Sequence, residues 1–260
     1  MKKLEIVKAI DDRIIHYDIF RDLIYEEGVK VTSNNRSFVT QPRDICIELT
    51  KKCNLRCENC FIENGDEEIS YNDIYNTIDK IKDKIIRICL SGGEPFLYSQ
   101  IDKTLAFISS MNDLGKVIST NGTCINDDHI NIMKGNYWTV AVSIHGRKET
   151  HNQYTKSSSY DTVIKIIEKL GKNGINTHIY SVMHDRMSLE DYEFIKRIKD
   201  KYEIAVLRMI KVRMHGRYKI DNNNELFTAV KRDLSDGIIL KTEKTNTLLL
   251  SVNGEMSYTN

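Results

Sequence analysis

The chain has 260 residues, 40% of them apolar, enough to bury the core of one large α/β domain or two small ones. A formal net charge of +1 provides no concentrated positive surface, which argues against nucleic acid or an anionic membrane as a partner. No apolar run approaches the about 20 residues that span a bilayer, and Met1-Lys2-Lys3-Leu4-Glu5 breaks into charges before a signal-like core forms; the six cysteines then sit in a reducing cytoplasm, where metal binding or packing is expected rather than disulfides.

Residues 1–44 carry apolar positions at helical spacing, Ile6, Ile10 and Ile14 and then Ile19 and Leu23, and are expected to form a short helical N-terminal extension. After Pro42 strands alternate with helices. The pattern predicts strands over Ile45–Thr50, Ile85–Leu90, Lys116–Thr120, Trp138–Ile144, Thr177–Met183 and Ile204–Val212. Helices are expected over Tyr71–Lys84, Ile101–Met111, Asp127–Met133, Tyr160–Gly171 and Ser188–Lys199, the last capped by Ser188 with Asp191 at its positive end. In Tyr160–Gly171, Val163, Ile164, Ile167 and Leu170 form one apolar stripe that can cover a sheet. Six β-α units in a row, with right-handed crossovers, predict a parallel sheet with helices outside. Residues 216–260 add a helix near Glu225–Leu234 and a strand near Thr247–Val252 that could close an open sheet edge.

Parallel α/β sheets place ligands at the carboxyl ends of their strands, and every polar motif falls at such an end. Cys53-Asn54-Leu55-Arg56-Cys57-Glu58-Asn59-Cys60 follows the first barrel strand, Gly92-Gly93-Glu94-Pro95 the second and Ser119-Thr120-Asn121-Gly122 the third. Ser143 to Gly146 follow the fourth, His184 and Asp185 the fifth, and Arg208 to Arg213 the sixth. The C-x3-C-x2-C spacing puts three thiols on one tight loop and leaves a tetrahedral or cubane centre one ligand short, where a structural zinc or a 4Fe-4S cluster would ordinarily take four. An open position is a position for chemistry.

In the cysteine spacing, the GGEP stretch and the STNG stretch, all in order, residues 42–215 resemble the radical S-adenosylmethionine (SAM) superfamily of the CxxxCxxC type. The resemblance implies an α/β fold, a partial (β/α)6 barrel over residues 45–215, in place of a doubly wound sheet. It implies that Cys53, Cys57 and Cys60 bind three irons of a 4Fe-4S cluster while the fourth iron takes the methionine end of SAM. Gly92 and Gly93 would let backbone approach the ligand, the acceptors of Gly92 to Pro95 would receive its ammonium, and Glu94 would order the turn. Ser119, Asn121, Ser143 and His145 would offer hydrogen bonds to the cofactor, with His145 alternatively satisfied within the protein. Arg208 would pair with the SAM carboxylate, or lie buried in the barrel against Glu48 or Glu94. Where relatives place an aromatic residue before the third cysteine this chain has Asn59, so Phe61 or backbone is expected beside the adenine. His184, Asp185, His215 and Arg217 are rim candidates for substrate contact.

Cys46 and Cys89 lie inside strand patterns and are expected to pack as small hydrophobes. Cys124 lies near the mouth, where a thiol could return a hydrogen atom to a substrate radical, or be a plain loop cysteine. No cysteine follows Cys124, which excludes auxiliary clusters within these residues. The implied function is reductive cleavage of SAM to a 5′-deoxyadenosyl radical that abstracts a substrate hydrogen, with a peptide or protein as the leading substrate class and a small or nucleotide-derived molecule as the alternative. An electron donor such as flavodoxin or ferredoxin is implied as partner. From another class, a non-enzymatic zinc or iron-sulfur protein would explain the thiols but not GGEP.

Overall fold

The computed structural model describes residues 5–11, 13–26, 29–31, 43–211, 224–234, 237–241 and 247–258. His215, Arg217 and the expected boundary at 215 lie outside them. From Asp44 onward strands and helices alternate: β5 (Asp44–Glu48), β6 (Arg87–Ser91), β7 (Gly115–Thr120), β8 (Trp138–Ser143), β9 (Asn176–Met183) and β10 (Val206–Lys211) are separated by α1 (Tyr71–Ile81), α2 (Ile101–Ser109), α3 (Asp127–Met133), α4 (Lys148–Thr155) with α5 (Tyr160–Lys172), and α6 (Leu189–Lys201). α7 (Asn224–Arg232), β11 (Ile238–Lys241), β12 (Leu248–Leu250) and β13 (Met256–Tyr258) follow.

The sheet order is β11-β10-β9-β8-β7-β6-β5-β12-β13, and only β13 runs antiparallel to its neighbour. From β5 to β11 the order never reverses. A doubly wound sheet needs such a reversal to cover both faces; without one the helices fall on a single face and the sheet curls into a partial barrel around the other. The sequence pattern expects a six-stranded parallel barrel with a C-terminal appendage. In the structure that appendage extends the sheet at both edges, β11 beside β10 and β12 beside β5.

Alternation along each strand separates the two faces. Ile45, Ile47, Ile88, Leu90, Ile118, Val140, Val142 and Ile179 are buried in one core with Ile74, Ile78, Leu105, Ile130, Val163, Ile167 and Ile195 from the helices. The intervening residues, among them Cys46, Glu48, Cys89, Ser119, Ser143, Tyr180 and Arg208, face the lumen and are half-buried. The helices start at side-chain caps: Ser70 accepts from Asn72 N–H, Asn126 forms a capping box with His129, and Ser188 forms one with Asp191.

The expected N-terminal helices are overturned. Residues there form a four-stranded antiparallel sheet, β1 (Glu5–Ile10), β2 (Arg13–Asp18), β3 (Leu23–Glu26) and β4 (Val29–Val31). The spacing of Ile6 and Ile10 suits either structure, because residues four apart share a face in a strand as well as in a helix. Tertiary contact decides between them: Ile6, Ile10, Ile15, Tyr17 and Ile19 bury themselves together with Ile86 at the foot of β6. The turn after β2 then shuts the barrel floor. Tyr17 packs so closely on Gly115 that a Cβ there would lie 2.1 Å from its ring. Asn176 donates to Ile19 O at 3.1 Å, His178 Nε2 pairs with Phe20 O at 3.0 Å, and the fully buried Asp22 carboxylate receives Tyr17 Oη–H, Arg87 and Arg208.

Candidate active site at the open mouth of the barrel

The cysteine loop leaves β5 and is anchored to the opposite side of the mouth by main-chain bonds. Arg56 N–H donates to Thr155 O at 3.3 Å and Glu58 N–H to Tyr154 O at 3.0 Å, so the last carbonyls of α4, free as at any helix end, are satisfied by the loop. Glu58 also pairs with Arg186 beyond β9 at 3.0 Å. Helix α4 escapes the sequence pattern because Lys148–Thr155 has no apolar stripe; its buried residues are His151, Tyr154 and Thr155. Tyr154 stacks on His184 with ring centroids 4.1 Å apart, and His145 lies 4.6 Å from Tyr154.

The GGEP stretch acts on this loop from below. Gly93 N–H donates to Thr50 O and Glu94 N–H to Lys52 O, both at 2.7 Å, and a Cβ on Gly93 would lie 2.4 Å from Lys52 O. The close approach that the glycines allow is thus to the chain entering Cys53. Gly92 adopts φ of 136°, accessible to glycine. Pro95 begins a 3-10 turn that Glu94 caps. The Glu94 carboxylate, wholly buried, accepts from Thr120 Oγ1 at 2.7 Å, Asn121 N–H at 2.8 Å and Phe96 N–H at 3.2 Å. Burial raises its pKa to about 7 against those three donors. Asn121 in turn donates to Asn54 Oδ1 at 3.0 Å, and Asn54 to Thr123 Oγ1 at 2.8 Å. One network therefore joins the mouths of β5, β6 and β7.

Cys53, Cys57 and Cys60 are reduced and partly to fully accessible. Burial pushes the Cys57 thiol up to about 12, with Cys60 and Cys53 the next causes, which makes the three near neighbours. Among the described residues no three His, Cys, Asp or Glu side chains are gathered as a ready metal cage. The donor set nevertheless fits a thiophilic cluster: three neighbouring thiols on an anchored loop, of which Cys53 and Cys57 are disfavoured as anions by burial until a cation compensates them. The Asn59 Nδ2 atom within this loop is buried without a hydrogen-bond partner.

The remaining expected residues divide. Ser119 and Ser143 reach the lumen at the mouth, and Cys124, its thiol raised by burial, lies beside Thr123 Oγ1 at 3.6 Å. Phe61 projects into solvent, 78% exposed, directly after Cys60. His145 is buried and engaged within the protein: its Nδ1 accepts from Val182 N–H at 3.1 Å and its carbonyl meets His184 Nε2 at 3.2 Å. His184 shares that cluster, whereas Asp185 is exposed. Arg208 lies on β10, as expected, and has a carboxylate partner from the N-terminal sheet. It binds Asp22 at 2.5 Å and Tyr180 Oη at 2.8 Å in the barrel floor, and neither Glu48 nor Glu94 faces it as a partner. The sequence missed Asp22 because it lies in the segment read as helix.

A family model described as the radical SAM superfamily matches residues 47–198, more than half of the chain. GTP 3',8-cyclase of Clostridium perfringens (strain SM101 / Type A) is 28% identical over 216 residues, which cover 75% of this chain and 65% of that protein. The antilisterial bacteriocin subtilosin biosynthesis protein AlbA of Bacillus subtilis (strain 168) is 22% identical over 178 residues, 65% of this chain and 40% of AlbA. Among solved structures, Streptococcus suis SuiB bound to precursor peptide SuiA shares the fold with a TM-score of 0.72 at 16% identity, covering 83% of this chain and 59% of SuiB. In each of the three the matched region is less than two thirds of the relative's length. With its cysteine loop, its GGEP turn and this match in register, the chain belongs to the radical SAM superfamily, a family of enzymes that use a 4Fe-4S cluster and S-adenosylmethionine.

Proposed function

We propose that the mouth formed by Cys53, Cys57, Cys60, Gly92 to Pro95, Ser119, Asn121 and Ser143 holds the cluster and SAM, and that the chain modifies a peptide or protein. The observation that carries the reading is the position of the three thiols, on one anchored loop at the carboxyl ends of β5 to β7. When bound, the two groups supply a 5′-deoxyadenosyl radical that takes a hydrogen atom from the substrate.

The protein's own part is placement. Gly93 and Glu94 fix the strand that enters Cys53, Asn121 and Asn54 brace the loop, and Asp22 ties the N-terminal sheet to Arg87 and Arg208 in the floor. Asn59, with its unpartnered buried amide, stands where an aromatic residue would, and Phe61 is exposed to solvent. Cys124, beside Thr123 just past β7, would be the thiol that returns a hydrogen atom. The exposed Cys60 and Phe61 give a flavodoxin or ferredoxin access to the cluster edge, consistent with a cytoplasmic enzyme. Among the described residues no helix is long and apolar enough to cross a membrane.

A peptide substrate is supported by AlbA, a bacteriocin biosynthesis protein, and by SuiB, solved with a precursor peptide. The second reading, a nucleotide-derived substrate, rests on the 28% identity to GTP 3',8-cyclase. Among the described residues the lumen cations Arg87 and Arg208 are already bound to Asp22 and Asp44, which leaves them committed rather than free to hold a triphosphate and favours the peptide. Oxygen-free reconstitution with iron and sulfide, then dithionite and SAM, tests the chemistry by release of 5′-deoxyadenosine. Colourless protein carrying stoichiometric zinc and yielding none overturns it. Mass change in a precursor peptide encoded beside this chain, against none in GTP, tests the substrate class.

A further inference from the structure

Two cysteines outside the metal loop stand side by side. Cys46 is the third residue of β5 and Cys89 the third of β6, and the parallel register sets them directly opposite each other. Ile45, Ile47, Ile88 and Leu90 on either side are fully buried against the helices, so strand alternation turns both cysteines into the lumen. There both are reduced and partly exposed. Adjacent strands lie about 4.8 Å apart, within the Cα separation of about 4.4–6.8 Å that a disulfide spans. The contact with Cys46 lowers the Cys89 pKa, helped by the Arg87 guanidinium, while burial and the carboxylates of Asp22 and Asp44 oppose it. The lowered pKa favours the Cys89 thiolate as the attacking group.

We infer that Cys46 and Cys89 form a redox-active dithiol in the barrel lumen, a modification site for small disulfides distinct from the cysteine loop. The Cys89 thiolate attacks one sulfur of a small disulfide and expels a thiolate, giving a mixed disulfide. The Cys46 thiolate then attacks Cys89 Sγ and expels the second small thiolate. The pair loses two electrons and two protons, and the reagent leaves as two thiols. The bridge ties β5, which runs into Cys53, to β6, which runs into Gly92, and so fastens the two strands beneath the site. Reduction restores two thiols facing whatever occupies the lumen.

The test uses the full metal-free chain, kept oxygen-free and treated with hydroxyethyl disulfide, followed by non-reducing digestion and mass spectrometry. A peptide joining Cys46 to Cys89, two hydrogens lighter than the sum of its parts and released by reductant, is expected. In C46S the cross-link is lost and Cys89 carries the mixed disulfide instead; C89S loses the cross-link as well. Independent adducts on Cys46 and Cys89 in the unaltered chain overturn the inference. So does absence of the cross-link at a reagent excess that modifies every cysteine of the urea-unfolded chain.

Discussion

Asp22 and Arg208, 186 positions apart in the chain, meet at 2.5 Å in the floor of the barrel. The carboxylate also binds Arg87 and accepts from Tyr17 Oη–H, so two guanidinium groups from β6 and β10 converge on one buried acid from the N-terminal sheet. The pairing, with the bond to Tyr180 Oη, fixes the Arg208 guanidinium in place. It also makes the N-terminal sheet a structural part of the barrel rather than an appended extension.

Replacing Asp22 by Asn leaves Arg208 without its carboxylate and Arg87 with Asp44 alone, and loss of one partner of a buried pair costs about 3–5 kcal/mol. Burial opposes the ionised acid, but Arg87 and Arg208 outweigh it and hold the Asp22 pKa well below the usual carboxylate range. Because the folded pKa is depressed, the stabilisation is complete above the unfolded value of about 4 and fades as pH falls towards the folded one. Urea unfolding should therefore show D22N much less stable at pH 7, with the gap narrowing below about pH 4. An equal gap at pH 7 and pH 3 would show that the charge contributes nothing.

Glu94 carries the opposite pH signature. Burial raises its folded pKa to about 7, so between the unfolded value of about 4.3 and 7 the folded chain holds a proton that the unfolded chain has released. Stability from this group is present at acid pH and declines as pH rises through that window. Glu94→Gln cannot titrate and removes this slope. It also turns an NH2 group towards one of the donors Thr120, Asn121 or Phe96, at a cost of about 1–3 kcal/mol. Unfolding curves for both chains from pH 4.5 to 8 give the comparison, and parallel profiles would argue against it.

Cys57→Ala should abolish iron uptake during anaerobic reconstitution while circular dichroism and the thermal midpoint stay close to those of the parent. The cysteine loop contributes only Leu55 to buried apolar residues, so little packing depends on the thiol. Gly93→Ala should lower both quantities, because its Cβ has no room beside Lys51 O and Lys52 O and the overpacking costs about 1–3 kcal/mol. Retention of a full iron complement by C57A would remove Cys57 from the ligand set.

Much of this arrangement is legible in the chain alone, for a physical reason. The barrel strands Ile45–Thr50 to Ile204–Val212 carry enough apolar and β-branched residues to declare themselves, and motifs that begin where such strands end must share one mouth. The three thiols, Gly92 to Pro95 and Ser119 to Asn121 are found that way. What stays hidden depends on partners distant in sequence. Ile6 and Ile10 have the same spacing on a helix face and a strand face, and only burial against Ile86 selects the strand. Lys148–Thr155 shows no apolar period because its inward face is built from His151, Tyr154 and Thr155, the first two packed on other polar rings. The partner of Arg208 is out of reach for the same reason, since Asp22 arrives there only once the N-terminal strands exist.

That polar helix leads to the last expectation. Tyr154 is buried between His145 and His184, and its carbonyl holds Glu58 N–H while the next carbonyl holds Arg56 N–H. Burial raises its phenol well above the ordinary tyrosine range, and the thiols of Cys57 and Cys60 are the next largest contributors, which places the ring directly under the loop. Tyr154→Ala empties that space, costs about 3–5 kcal/mol as for other large buried aromatics, and loosens the end of α4. Tyr154→Phe keeps the ring stack and both main-chain acceptors. Hydrogen exchange in the metal-free chain separates the two effects: the amides of Arg56 and Glu58 should exchange faster in Y154A and near the parental rate in Y154F. If Y154A leaves both amides as protected as in the parent, α4 is not what holds the cysteine loop across the mouth.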